Sequence, residues 1–194
     1  MTAKRHLDSG WRAWLEEQPE VALEKYRKLD PTLAQAHMGI GQVHFFAPTP
    51  RIDKAIAAYR EAMRLAPKWS EAHYWLGLSL AENKQYKEAI KEHREAIALS
   101  NREDERLFIS LGLCLHEDNR YSLAVKAFRD GIRVARREEA YYHLLLAHAL
   151  FAANQTKQAC AEWKRAVALR LVAHAEDDER VMETRRKITA HCRG

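Results

Sequence analysis

The stretch LGLSL at residues 76–80 comes back as LGLCL at residues 111–115. Thirty-five residues separate Gly77 from Gly112, room for two helices and a turn but not for a domain. Aligned on these glycines, the likeness extends through HYWLGLSLAENKQYKEAIKEHREAIAL from His73, FISLGLCLHEDNRYSLAVKAFRDGIRV from Phe108 and HLLLAHALFAANQTKQACAEWKRAVAL from His143. Ala147 takes the place of the glycine in the third of these, another 35 residues on. Upstream, Gly41 lies 36 residues before Gly77, and its copy carries extra residues around APTP, 47–50. A shorter copy opens the chain as SGWRAWLEEQPEVALEKYRKLDP, 9–31, with a truncated first half. Self-similarity at a fixed period of this length marks a stack of supersecondary units whose end copies are irregular.

Each copy reads as helix, turn, helix. Leu76 and Leu80, then Tyr86, Ala89, Ile90 and Ile97, recur at three- and four-residue steps on either side of the polar ENKQ, 82–85. Pro31 and Pro67 fall after a second helix and before the next first helix, where a missing backbone donor does little harm. Pro48 and Pro50 place a non-helical turn inside the earlier copy. Three positions stay small in every copy: Gly41, Gly77, Gly112 and Ala147; Ala55, Ala89, Ala124 and Ala159; Ala62, Ala96, Gly131 and Ala166. The first two sets are expected to face each other where paired helices come closest, and the third to touch the first helix of the next unit. Glycine costs a helix about 1 kcal/mol against alanine, so the glycines need a packing reason.

The totals agree with an all-α chain. Of 194 residues, 47% are apolar, enough for a continuous core, while only seven are glycine and five proline. Net charge is +5, but the 32 basic and 27 acidic side chains are interspersed, which is the pattern of solvated helix faces and not of a nucleic-acid patch. Cys114, Cys160 and Cys192 lie far apart and are odd in number, so no disulfide framework is expected and a reducing compartment, the cytoplasm, fits. The N-terminus MTAKRHLDSGW lacks the apolar run of a secretory signal. The most apolar stretch, 141–153, is broken by His143 and His148 and is short of the roughly 20 residues that span a bilayer.

With these positions in place, the chain resembles the tetratricopeptide repeat family: Leu-Gly in the first helix, Tyr86 or Tyr121 opening the second, the pair Ala89 and Ala96, and Pro67 closing the unit. The resemblance covers 34–169 as four full units, 1–33 as a partial one, and leaves 170–194 as a C-terminal capping helix, all in one solenoid domain. It implies an all-α, right-handed superhelix of antiparallel helix pairs whose first helices line a concave groove. Two departures stand out: His37, His73 and His143 replace the large aromatic near the start of the first helix, kept only as Phe108, and the period exceeds the usual 34. A 35-residue period also resembles pentatricopeptide RNA binders, but the small-residue sets and Pro67 fit the tetratricopeptide pattern better.

Helical phase assigns the groove lining to Met38, Gln42, Phe45 and Phe46; Tyr74, Leu78 and Ala81; Ile109, Leu113 and His116; and Tyr141, Leu144, His148 and Phe151. Such an apolar, aromatic surface suits a peptide or helix segment of another protein. Family members that hold a C-terminal carboxylate use Lys and Asn on this face; the matching places here carry Met38, Gln42, Trp75 and Arg106, which argues against that clamp. Two other readings are a basic solenoid binding RNA or another polyanion, and self-assembly into a homo-oligomer. In the tail, Asp177 and Asp178 are expected to cap a helix with Val181, Met182, Thr184 and Ile188 on one side, a lid for the last unit or, through Arg185, Arg186 and Lys187, a docking element.

No catalytic pair, cofactor or metal is expected. GIG at 39–41 sits inside a helix and lacks the strand of a dinucleotide fingerprint. His116, His148 and Cys114 approach one another in sequence phase, but Cys114 is expected to point into the packing layer. Nothing pairs a nucleophile with a base, so the chain reads as non-catalytic.

Overall fold

The computed structural model of the protein describes residues 19–29, 32–137, 139–173 and 179–192. Among them are ten α-helices and no strand. The chain divides into two units, Met1–Asn101 and Arg102–Gly194. The first holds α1 (Pro19–Arg27), α2 (Ala34–Phe46), α3 (Ile52–Leu65), α4 (Ser70–Glu82) and α5 (Tyr86–Leu99). The second holds α6 (Glu105–Glu117), α7 (Tyr121–Val134), α8 (Ala140–Ala152), α9 (Thr156–Ala173) and α10 (Glu179–His191). In each unit the hairpins α2–α3, α4–α5, α6–α7 and α8–α9 are the closest-packed pairs, and neighbours in sequence stack on them, α1 on α2, α3 on α4, α7 on α8 and α10 on α9. This is the helix-pair build of an α-solenoid.

The second helices are amphipathic, so packing of one face holds them. In α5 the buried set is Ala89, Ile90, His93, Ala96 and Ile97, a stripe at the helical period, with lysine and glutamate on the far side. The first helix α8 is apolar nearly all round and buries His143, Leu146, Ala147, Ala149 and Leu150. Of the seven helices whose cap residue is described, α6 alone has a side-chain cap, Asp104 accepting from the Arg106 backbone N–H. Tertiary burial therefore stabilises these short helices more than their own ends do.

Three hairpins turn in the same way. Lys84, Asn119 and Asn154 take left-handed backbone conformations, with φ of 59°, 59° and 60°. The next residue then donates its N–H back to the first helix: Gln85 to Leu80, Arg120 to Leu115 and Gln155 to Leu150, each at 2.8 Å. Asparagine tolerates this conformation, which explains its use in two of the three turns. The α2–α3 turn differs as the prolines require, with Arg51 N–H reaching the His44 carbonyl at 2.9 Å across 47–50.

The small residues work by a closer mechanism than alanine facing glycine. A Cβ built on Gly41 would sit 2.5 Å from Cε1 of Tyr59, one on Gly77 2.7 Å from Cε1 of His93, and one on Gly112 2.5 Å from Cε1 of Phe128. Each glycine is covered by a ring one turn beyond the alanine expected to meet it. At the fourth joint Ala147 is fully buried and the ring is Trp163, 1% exposed. The third small position also differs from expectation. A Cβ on Gly131 would meet Ile109 and Phe108 of its own hairpin, and the Ala96 carbonyl accepts a hydrogen bond from Ser70 Oγ of its own hairpin at 2.8 Å. These residues narrow the open end of a hairpin.

Polarity breaks the pattern at the rings. Tyr59 Oη, both ring nitrogens of His93 and Trp163 Nε1 are buried and find no hydrogen-bond partner among the described residues. Burial pushes the Tyr59 phenol far up, and it pushes His93 down to about 4, against a small opposing pull from Glu92. The tail departs from its expected bounds, since α9 runs on to Ala173 and α10 is a separate helix. The expected caps Asp177 and Asp178 and the first half of the N-terminal copy lie outside the described residues.

Two variants test the joints. Gly112→Ala forces the Phe128 ring aside and lowers stability by about 1–3 kcal/mol in urea unfolding, although alanine is the better helix former. His93→Phe, copying the joint at Phe128, removes two unpaired nitrogens and raises stability at pH 7 by about 1–3 kcal/mol. Because the folded His93 pKa lies below the unfolded one, its neutral-state advantage is complete above about 6.5 and is lost as pH falls toward 4. Wild type therefore loses stability relative to the variant by roughly 1.4 kcal/mol per pH unit over that window.

Candidate functional site

The first unit presents the inner side of α2 and α4. Gln42, Phe45, Tyr74, Leu78 and Ala81 are half-buried there and Phe46 is 46% exposed. Their rings gather around Trp75, which helical phase had not placed among them. Phe45 and Phe46 meet edge to face at 5.0 Å between centroids, and Trp75 receives Phe46 at 5.3 Å, Tyr74 at 5.4 Å and Phe45 at 5.9 Å. Behind it the buried Tyr59 ring stacks at 6.4 Å, while the indole N–H points to Glu71 Oε1 at 3.4 Å. Edge-to-face pairs add about 0.5–1.5 kcal/mol each beyond burial, so the cluster is held rigid before any ligand arrives. The legible signal was the doubling of aromatics at 45–46 and 74–75, which puts one ring of each pair toward the neighbouring hairpin.

The second unit presents α6 and α8. Leu113, Tyr141 and Phe151 are exposed, and His116, Leu144 and His148 are half-buried. Here α10 lies across one end: the His191 ring sits 4.7 Å from Phe151, and Lys187 Nζ approaches His148 Nε2 at 3.2 Å while pairing with Glu183 at 2.9 Å. An ammonium only donates, so Nε2 of His148 is the unprotonated nitrogen. Burial, then the charges of Lys187 and His116, hold His148 below the ordinary histidine range.

Two expected lining residues are not surface residues. Met38 is 5% and Ile109 6% exposed, because each is gripped by the hairpin, Ile109 beneath Gly131. The cysteine expectation is also overturned: Cys160 and Cys192 form a disulfide with Cα atoms 5.8 Å apart. Spacing in sequence missed it because only the docking of α10 on α9 brings positions 32 apart together. Cys114 is buried, its thiol pushed up to about 12, and no group of three or more metal-binding side chains is gathered among the described residues.

The histidines that replace the first-helix aromatic have partners the sequence reading passed over. His73 Nδ1 lies 2.8 Å from Glu92 Oε2 and its Nε2 lies 3.0 Å from the Pro67 carbonyl. Both neighbours accept, so the imidazolium donates to both. His143 Nδ1 meets Glu162 Oε2 at 2.6 Å with the same 19-residue offset, which was the available signal. The hydrogen bond from Glu92 raises the His73 pKa, with Pro67 assisting and burial opposing.

This arrangement of tight hairpins carrying clustered aromatics defines a helical-repeat protein. Residues 51–104 match the family model of the tetratricopeptide repeat. None of the curated proteins matches the chain in sequence. Among solved structures, YrrB, described as a TPR protein with an unusual peptide-binding site, aligns with a TM-score of 0.78 at 19% identity, covering 96% of this chain and 92% of that one. A MamA RS-1 double mutant aligns at 0.75 with 22% identity, covering 90% and 97%, and MamA 41-end from Desulfovibrio magneticus RS-1 at 0.74 with 22% identity, covering 91% and 97%. At these identities the likeness establishes the fold. The matched segment and the repeated joints together give the chain a helical-repeat fold similar to that of tetratricopeptide repeat proteins.

The His73 pair carries a pH signature. A raised folded pKa means that the pair stabilises fully below about 6.5 and that this contribution is lost as pH rises through the folded value. Glu92→Gln lowers the His73 titration midpoint in NMR and costs more stability at pH 5.5 than at pH 8.

Proposed function

We propose that the protein is a non-catalytic scaffold or adaptor that receives an apolar or amphipathic segment of another protein on the inner sides of its first helices. The observation that carries this reading is the aromatic cluster of Phe45, Phe46, Tyr74 and Trp75, pre-packed edge to face and still presenting Phe46 to solvent. Rigid aromatics of this kind lose little entropy on binding and make strong anchors. The likeness to YrrB, whose description includes a peptide-binding site, supports it by analogy.

Charge favours a protein partner over RNA. Many arginines are already paired within the chain: Arg60 with Glu88, Arg64 with Glu61, Arg106 with Asp104, Arg120 with Asp118 and Arg133 with Asp130. Such pairs leave less free positive charge for a phosphate backbone. No helix among the described residues is long and apolar enough to cross a membrane. The reading keeps the cytoplasm as compartment, where the disulfide meets a reducing thiol pool.

The test uses amphipathic peptides selected against the intact protein. Replacing Phe46, Tyr74 and Phe151 by Ala weakens their binding by about tenfold or more while far-UV circular dichroism is unchanged. Peptides that bind wild type and variant alike sink the reading, and affinity that falls steeply with salt replaces it with the polyanion one.

A further inference from the structure

We propose that the Cys160–Cys192 disulfide is a redox latch on α10: closed, it keeps the helix seated over His148 and Phe151, and opened by a dithiol it frees that end of the inner side in the second unit. The first ground is how little else holds the helix. Among its described side chains only Thr184 is buried, with Lys187 and Ile188 half-buried, while Met182, Glu183, Arg185, Arg186, Thr189, Ala190 and His191 are exposed. By contrast α8, of the same length, buries five residues. A 13-residue helix without a deep apolar face is marginal in water.

The second ground is position. The bond ties the end of α10 to the start of α9, and both cysteines are half-buried, within reach of a small thiol. Among the contacts seen at the described side chains of α10 are a lysine against an imidazole, Lys187 on His148, and ring contacts of His191 with Phe151 at 4.7 Å and Trp163 at 6.3 Å. The first of these sets an ammonium beside a group that gains positive charge on protonation, a poor clasp on its own. The residues α10 touches are two of those that phase assigned to the groove: His148 is half-buried and Phe151 keeps 38% of its surface exposed, while Tyr141 at the other end of α8 is 46% exposed. A bond that holds a weakly packed helix over part of a candidate site controls access to it.

The chemistry balances with one reductant. A thiolate of the dithiol attacks one cysteine sulfur, the other cysteine leaves as a thiolate and takes a proton, and the second thiol of the reductant displaces the first cysteine. Two electrons and two protons pass to the protein, giving the thiols of Cys160 and Cys192, and the dithiol becomes a disulfide. Closing again requires a disulfide oxidant.

The use of the latch rests on the partner-binding reading above, but release of the helix does not, so the experiment reads release. Hydrogen exchange by mass spectrometry is measured on the full chain before and after dithiothreitol, beside the double variant Cys160→Ser, Cys192→Ser. The latch predicts that amides of α10 exchange about tenfold faster or more after reduction, while α6 to α9 keep their protection. It also predicts that both thiols become alkylated and that the variant shows fast α10 exchange with or without reductant. Unchanged α10 exchange after both thiols are alkylated overturns the proposal. Loss of protection through α8 and α9 together overturns it as well, because the bond would then be a staple of the whole unit. Loss of peptide binding through Phe46 or Tyr74 with α10 still latched bears only on the earlier reading.

Discussion

A ring from the second helix lying on a residue without a side chain in the first is the contact on which each hairpin depends. Tyr59 on Gly41, His93 on Gly77 and Phe128 on Gly112 bring the two helices close enough for the flanking alanines, all nearly inaccessible, to close the joint. At the fourth joint the largest ring, Trp163, holds the matching ring position and a fully buried Ala147 the small one. The constraint is steric, and it explains why a helix tolerates a residue that disfavours helix by about 1 kcal/mol. The left-handed turns at Lys84, Asn119 and Asn154 then return the chain through the same backbone conformation and the same closing hydrogen bond in three of the hairpins.

Histidine gives this array polar side chains among its packed rings. His93 sits in a dry joint and is held neutral, so acid, which must protonate it on unfolding, disfavours the fold, and that cost is absent at neutral pH. His73, in the first helix of the same hairpin, donates toward Glu92 and Pro67 and works in the opposite sense. Two imidazoles one helix apart thus answer acid in opposing directions because one faces carbon and the other faces oxygen. Unpaired polar atoms at Tyr59 and Trp163 add to the cost of the joints. Shape therefore takes precedence over hydrogen bonding at the ring position.

The inner sides differ between units in what covers them. In the first unit the aromatic cluster supports itself, Trp75 acting as the plate against which Phe45, Phe46 and Tyr74 rest. In the second, the chain lays its own helix over His148 and Phe151 and closes it with a covalent bond.

From the residues alone came the all-α class, the hairpin period and the four joints, because each depends on local pattern: helical periodicity, small residues at fixed offsets and turn chemistry. Phe46, Tyr141 and Phe151 were recognised in the same way, as large aromatics on the unoccupied phase of a first helix. Met38 and Ile109 were assigned to the surface because phase gives direction and says nothing about what stands in that direction. Trp75 was named on this face only as a place matching the carboxylate clamp, and phase left it out of the lining because most of the rings that gather on it come from other helices; the His73–Glu92 pair was passed over because it joins positions 19 apart on two helices. The disulfide was decided wholly in three dimensions. No spacing rule links Cys160 to Cys192; the packing of α10 on α9 brings their Cα atoms to 5.8 Å, and distance in space, not along the chain, determines whether two sulfurs can bond.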